Sequence, residues 1–133
     1  MAKILVIDDD ELICRTIKRV LENERHTVET ALSFQDGFEL LSKANFEILF
    51  LDLHLPDREG DQAIDDILEI DELLQIIIIT GDLSVERAVN VMKAGVVDYI
   101  TKPFGREAII HVTNQVLKQR RTRVQEEASE RDP

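Results

Sequence analysis

Four apolar runs in this sequence end on polar side chains that could do chemistry. Ile4-Leu5-Val6-Ile7 ends on Asp8, Asp9 and Asp10, and Ile48-Leu49-Phe50-Leu51 on Asp52. Ile76 to Ile79 ends on Thr80 and Gly81, and Tyr99-Ile100 on Thr101 and Lys102. Carboxylates brought within a few ångströms of one another repel, so such a cluster either holds a proton abnormally or binds a cation. All-oxygen donors with no Cys or paired His nearby select a hard ion, and Mg²⁺ keeping several waters fits best. Lys102 would place fixed positive charge opposite the acids. One carboxylate between a metal and an ammonium suits the receipt of a phosphoryl group, because that transfer depends on positioning and charge neutralisation. A plain salt bridge from Lys102 to the acids is the simpler reading of that lysine, and the two are compatible.

The elements that must position these groups follow from periodicity. Ile48 to Leu51 shows no in/out alternation, as expected of a strand covered on both faces, and Pro56 stops its continuation. Further strands are predicted at Lys3–Ile7, Thr27–Ala31, Gln75–Ile79 and Asp98–Thr101. Ile13, Ile17, Val20 and Leu21 recur at helical spacing, as do Phe34, Phe38 and Leu41 after the cap residue Ser33. The next helix turns Ala63, Ile64, Ile67 and Leu68 inward and Asp61, Asp65, Asp66, Glu69 and Glu72 to solvent. Ser84 caps a fourth helix with Val85, Ala88, Val89 and Met92 on its buried face, and Gly95 ends it. Val91 and the edge of Ile100 fall outside the buried stripes and are assigned to a partner-binding face. A fifth helix buries Ala108, Ile109, Val112 and Val116.

Strands alternating with helices through long crossovers require parallel pairing and right-handed connections, hence a three-layer α/β sandwich. Ligand sites of open parallel sheets lie beyond the carboxyl ends of the strands. Asp8, Asp9, Asp52, Thr80 and Lys102 all fall on that edge. Asp10 reads as a helix N-terminal residue favoured by the helix dipole, and His26 and His111 as surface residues.

The 133 residues suit one domain with a core, and 44% hydrophobic with 32% charged residues is ordinary globular composition. A formal net charge of -11 opposes direct nucleic-acid binding and association with anionic membranes, and favours a cation or a basic partner. No apolar run is long enough to span a membrane, the start lacks signal-peptide character, and the single Cys14 cannot form an internal disulfide, so a reducing cytoplasmic location is expected. Residues 1–120 are assigned to the domain and 121–133 to a charged helical extension, linker or disordered tail. The basic cluster Lys118, Arg120, Arg121 and Arg123 at that junction is weak evidence for nucleic acid.

Taken together, Ile7-Asp8-Asp9, Asp52 with Pro56 and Gly60, Thr80-Gly81, and Asp98-Tyr99-Ile100-Thr101-Lys102-Pro103-Phe104 resemble the receiver domain of bacterial two-component response regulators. The likeness covers Lys3 to about Arg120. It implies a flavodoxin-like, doubly wound five-stranded parallel sheet of order 2-1-3-4-5. It also implies a phosphorylation-dependent switch whose Asp52 accepts a phosphoryl group from a sensor histidine kinase or histidine phosphotransfer protein. Asp9 would be a direct Mg²⁺ ligand, Asp8 would act mainly through water, and the backbone carbonyl of His54 would complete the protein's share of the shell. Lys102, joined to Pro103 by a cis bond, would hold a phosphoryl oxygen, and Gly81 would leave the approach open. Thr80 and Tyr99 would form the switch pair that changes the surface of the fourth helix, fifth strand and fifth helix. That surface would control an output domain or partner, and a homodimer formed on phosphorylation is left open. His54 and Asp82 flank the expected phosphoryl site and would set its lifetime. Such a domain is a signalling module rather than an enzyme, catalysing only its own phosphorylation and dephosphorylation. The competing reading is a haloacid dehalogenase-like phosphatase using Asp8 and Asp10, for which the second acidic motif is missing and Asp52 would be idle.

Overall fold

The computed structural model describes residues 1–81 and 84–131, with the side chains of 60, 61, 123, 124 and 127–131 outside that description. Among the described residues the chain alternates β1 (Lys3–Ile7), α1 (Glu11–Asn23), β2 (Thr27–Ala31), α2 (Phe34–Lys43), β3 (Ile48–Asp52), α3 (Gly60–Ile70), β4 (Gln75–Thr80), α4 (Val85–Ala94), β5 (Asp98–Thr101) and α5 (Arg106–Arg131). The strands form one sheet in the order β2-β1-β3-β4-β5, and every neighbouring pair is parallel. This is the three-layer architecture expected from the sequence pattern and the strand order that the family resemblance implies.

The non-alternating strands are apolar throughout because both faces of the sheet are covered. Leu5, Ile7, Leu49, Leu51, Ile76 and Ile78 pack with Phe34, Leu41, Ala63, Ile64, Ile67 and Val91 of α2, α3 and α4. Their sequence neighbours Ile4, Val6, Ile48, Phe50, Ile77 and Ile79 pack on the other face with Ile17, Leu21, Ile109, Val112 and Val116 of α1 and α5. Ser33 and Ser84 cap α2 and α4 through backbone N–H groups of Asp36 and Arg87, and Asp10 caps α1 by accepting from the Leu12 N–H at 2.9 Å. Gly95 closes α4 in the left-handed region at φ +113°. Gly37 lets α2 lie directly on β1, since a Cβ there would meet Ile7 Cγ1 at 2.6 Å and its Cδ1 still closer.

Helix α4 differs from expectation. Val85, Val89 and Met92, assigned to its buried face, are exposed, and Ala88 is only half-buried. Val91, assigned to a partner surface, is 1% exposed and sits in the core, and Ile100 is buried too. The helix carries two apolar stripes, and the sheet covers the one centred on Val91. Ala108 likewise lies outside the buried face of α5, where Thr113 and Leu117 join Ile109, Val112 and Val116. On α3, Asp66 is paired with Arg58 at 2.7 Å rather than simply solvated, and the side chain of Asp61 lies outside the described residues. Helix α5 runs unbroken past residue 120, with Arg120 reaching Glu47 at 4.0 Å.

Candidate functional site

Parallel pairing aligns the strand ends. Asp52 is the last residue of β3 and faces Ile79, so Thr80, the last of β4, stands one step beyond it; Thr80 in turn pairs with Thr101, and Lys102 follows. The Lys102 N–H donates to the Thr80 carbonyl at 2.8 Å, which extends the β4–β5 ladder by one rung and brings the lysine to the site. The Lys102–Pro103 peptide is cis, as expected.

Asp8 and Asp52 are held in the same way. The Oδ1 of each accepts from a backbone N–H two residues on, Asp8 from Asp10 at 2.9 Å and Asp52 from His54 at 3.1 Å. Each therefore presents Oδ2 to the centre, where the Lys102 ammonium lies 2.9 Å from Asp8 and 3.6 Å from Asp52. Lys102 is the ion-pair partner of this fully buried Asp8 oxygen, whose second lone pair leaves acceptor capacity for a further ligand. Asp9 is exposed at the mouth.

Burial is the main influence on Asp52, raising its pKa above the ordinary carboxylate value. The His54 N–H opposes the shift, Asp8 adds to it, Lys102 opposes it and Asp9 adds to it. For Lys102, burial alone would depress the ammonium, but Asp8 and Asp52 together outweigh it and hold its pKa above the ordinary lysine value. The directions are consistent, since the ammonium sees two carboxylates whereas Asp52 sees one more distant ammonium and two acids. Beneath the cluster, the Cys14 thiol lies 3.3 Å from the Asp8 carbonyl, and burial followed by the Asp8 charge pushes its pKa up to about 11. It is a protonated core thiol.

Asp8, Asp9 and Asp52 each offer a carboxylate oxygen, and the three lie within 4.8 Å of one another. With spare acceptor capacity on the buried Asp8 oxygen and an all-oxygen donor set, these residues fit a hard divalent cation. Asp10 is not in this group, and its Oδ1 accepts the capping bond of α1 from the Leu12 N–H. The group that could hold an ion thus includes Asp52, which the phosphatase reading leaves idle.

Of the remaining expected residues, Thr80 is fully buried at the end of β4, and Tyr99, 44% exposed, lies on edge strand β5 opposite Ile78. Asp82 lies outside the described residues. A Cβ added at Gly81 would meet only Lys102 Cβ at 4.0 Å. His111 is exposed, but His26 is not a free surface residue: its Nδ1 accepts from the Ala2 N–H at 3.0 Å, and burial lowers its pKa.

Several site-rim residues escaped sequence reasoning. His54 and Glu59 form an antiparallel bridge across the β3–α3 loop, and Glu59 takes Arg87 of α4 at 3.1 Å. Arg87 Nη1 also lies 3.3 Å from His54 Nε2, with His54 Nδ1 3.7 Å from Glu59. On the other side, Asp57 accepts from the Phe34 and Gln35 N–H groups, both at 2.9 Å, and these two bonds lower its pKa. Arg58 stacks 4.9 Å over the Phe34 ring. Apart from the local His54–Glu59 bridge, these contacts join residues more than 20 positions apart, and no local pattern announces them.

Fold and site together define a receiver-type α/β domain, and comparison with known proteins agrees. The response regulator receiver domain model matches residues 4–114, and the chain belongs to that family, whose general function is a phosphorylation switch in two-component signalling. The chain is 36% identical over 101 residues to the alginate biosynthesis transcriptional regulatory protein AlgB of Pseudomonas aeruginosa, covering 76% of this chain and 22% of that protein. It thus spans less than a quarter of that relative's length. A CheY-like response regulator receiver domain protein from Methanospirillum hungatei superposes with a TM-score of 0.88 at 28% identity, over 92% of this chain and 98% of that one. A response regulator from Burkholderia pseudomallei, solved with a phosphorylated aspartic acid, calcium ion and citrate, superposes at 0.80 with 29% identity, covering all of this chain and 76% of that one. Among the described residues no helix is long and apolar enough to cross a membrane.

Proposed function

We propose that Asp52 is the phosphoacceptor of this domain, receiving its phosphoryl group from a phosphohistidine on a sensor histidine kinase or histidine phosphotransfer protein. The observation that carries this reading is the division of labour at Asp52. One oxygen is fixed by the His54 N–H, and the other is aimed at an ammonium 3.6 Å away, in a site exposed by only 4%. Oδ2 attacks phosphorus, the phosphorus–nitrogen bond breaks, and its electron pair returns to the donor imidazole. Lys102 then holds a phosphoryl oxygen, and its existing pairs with Asp8 and Asp52 keep it charged and in place. Asp8, Asp9, Asp52 and the His54 carbonyl are the groups that would hold Mg²⁺, which supplies charge neutralisation to the phosphoryl oxygens.

The added group brings close to two negative charges to one strand end. Thr80 donates its hydroxyl to it, and Tyr99, turned outward here, moves in to fill the space that Thr80 vacates. The change is delivered to the surface of α4, β5 and α5, where Val85, Val89, Met92 and Tyr99 are exposed for an output domain, a partner or a second copy. His54 and Asp82 govern the hydrolysis of the phosphoryl group. Residues 1–120 form the receiver, and the rest of α5 is a helical extension. A role in controlling transcription is in keeping with the alginate regulator, and the charge of -11 leaves any nucleic-acid contact to another domain. The domain acts in the cytoplasm. Incubation with Mg²⁺ and acetyl phosphate, followed by intact mass measurement, tests the reading. Gain of one phosphoryl group that is abolished by chelator and by Asp52→Asn is the expected result; uptake unaffected by both would refute it.

A further inference from the structure

The loop that follows Asp52 is tied to α4 by charged groups from three separate places in the chain. Glu59 is the N-cap of α3, yet its side chain makes no capping bond and turns instead to Arg87 at 3.1 Å. Arg87, with a side chain only 24% exposed, lies on the first turn of α4 and touches both His54 and Glu59. His54 is also the residue whose N–H holds Asp52 Oδ1, and the His54–Glu59 bridge closes the loop between them. A continuous chain of contacts therefore runs from the exposed face of α4, through Arg87 and Glu59, to the oxygen of Asp52.

We infer that Arg87 and Glu59 are positioning residues that pin the His54 loop over Asp52 and couple the α4 surface to the chemistry at that carboxylate. The inference rests on Asp52 being the phosphoacceptor. With the loop pinned, water has restricted access to the acyl phosphate; releasing Arg87 loosens the loop and shortens the phosphoryl lifetime. A partner that seats on Val85 and Val89 and holds the α4 N-terminus steadies the same contacts and so prolongs it. Neither residue touches the acceptor, and both act through His54.

The size follows from the exposure of the pair. An ion pair half open to solvent contributes enough to change a rate about two- to fivefold, and salt weakens it. Arg87→Gln, Glu59→Gln and the double variant are compared by amide hydrogen exchange at His54 in the unphosphorylated protein, and by acyl-phosphate half-life after treatment with Mg²⁺ and acetyl phosphate. Each single change is expected to speed His54 exchange and shorten the half-life by about two- to fivefold, with the double variant no worse than either. Arg87→Lys restores part of the effect, and raising salt brings wild type toward the variants. Unchanged exchange, an unchanged half-life, or single effects that multiply in the double variant would each overturn the proposal. A wild-type protein that takes up no phosphoryl group refutes the role of Asp52 and the lifetime effect with it, while His54 exchange still decides whether Arg87 and Glu59 position the loop.

Discussion

Replacing Lys102 with Met keeps the side-chain stem and removes the ammonium, leaving Asp8 fully buried and Asp52 4% exposed with no countercharge. Breaking a buried ion pair from one side costs about 3–5 kcal/mol. The Lys102 side chain is 25% exposed, so water already screens part of this interaction, and about 2 kcal/mol is the expected loss at pH 8. For a domain of this size that lowers Tm by about 6–10 °C. The pH dependence carries the diagnostic information. The folded pKa of Lys102 is raised, so its stabilisation is complete below its ordinary value of 10.5 and lost only as pH climbs through the folded value; wild type keeps it in full at neutral pH. Asp52 also has a raised folded pKa, which favours the folded state at acid pH and loses that benefit as pH rises. Without Lys102 this effect grows, so the gap between variant and wild type is widest at pH 8 and narrows at pH 5. Millimolar Mg²⁺ narrows it as well. Thermal melts at the two pH values, with and without Mg²⁺, measure this directly. Equal Tm values at pH 8, or a gap indifferent to both pH and Mg²⁺, would refute the electrostatic account of the site.

Three further outcomes are expected. Val91→Ala costs about 2 kcal/mol, whereas Val89→Ser changes stability by less than about 0.5 kcal/mol, and paired urea titrations test which stripe of α4 is buried. Asp57→Ala removes both acceptors at the start of α2 and costs about 1 kcal/mol at neutral pH. Because the Asp57 pKa is lowered by those bonds, its advantage over the variant disappears as pH falls through the folded value, which acid titration of the two proteins would show. The neutral His26 ring accepts from Ala2, and its folded pKa lies below 6.5, so the stability advantage of wild type over His26→Ala shrinks as pH drops below that value; a constant difference from pH 7.5 to 5 would contradict this.

The strand ends were legible because a buried parallel strand must be apolar throughout, which makes the polar residue at its end conspicuous. Asp52, Thr80 and Lys102 stand out for this reason, and the shared edge follows from parallel pairing alone. The face of α4 was not legible. Val85, Val89 and Met92 form a regular i, i+4, i+7 stripe, but periodicity reveals an apolar stripe without saying whether the sheet lies beneath it. The sheet lies beneath Val91, with Leu68 and Ala94 packed around the same core. Glu59, Arg87 and Asp57 were invisible for another reason. Their partners lie 22 to 33 residues away, and a charged residue in a loop looks the same in sequence whether it is solvated or engaged.

The central claim concerns which carboxylate carries the phosphoryl group, and mapping the modified residue tests it most directly. After treatment with Mg²⁺ and acetyl phosphate, borohydride reduction of the acyl phosphate and peptide sequencing by mass spectrometry should place the label at Asp52. A label at Asp8 or Asp10, with Asp52 unmodified, would contradict the account and point to the phosphatase-like use of the first acidic strand end.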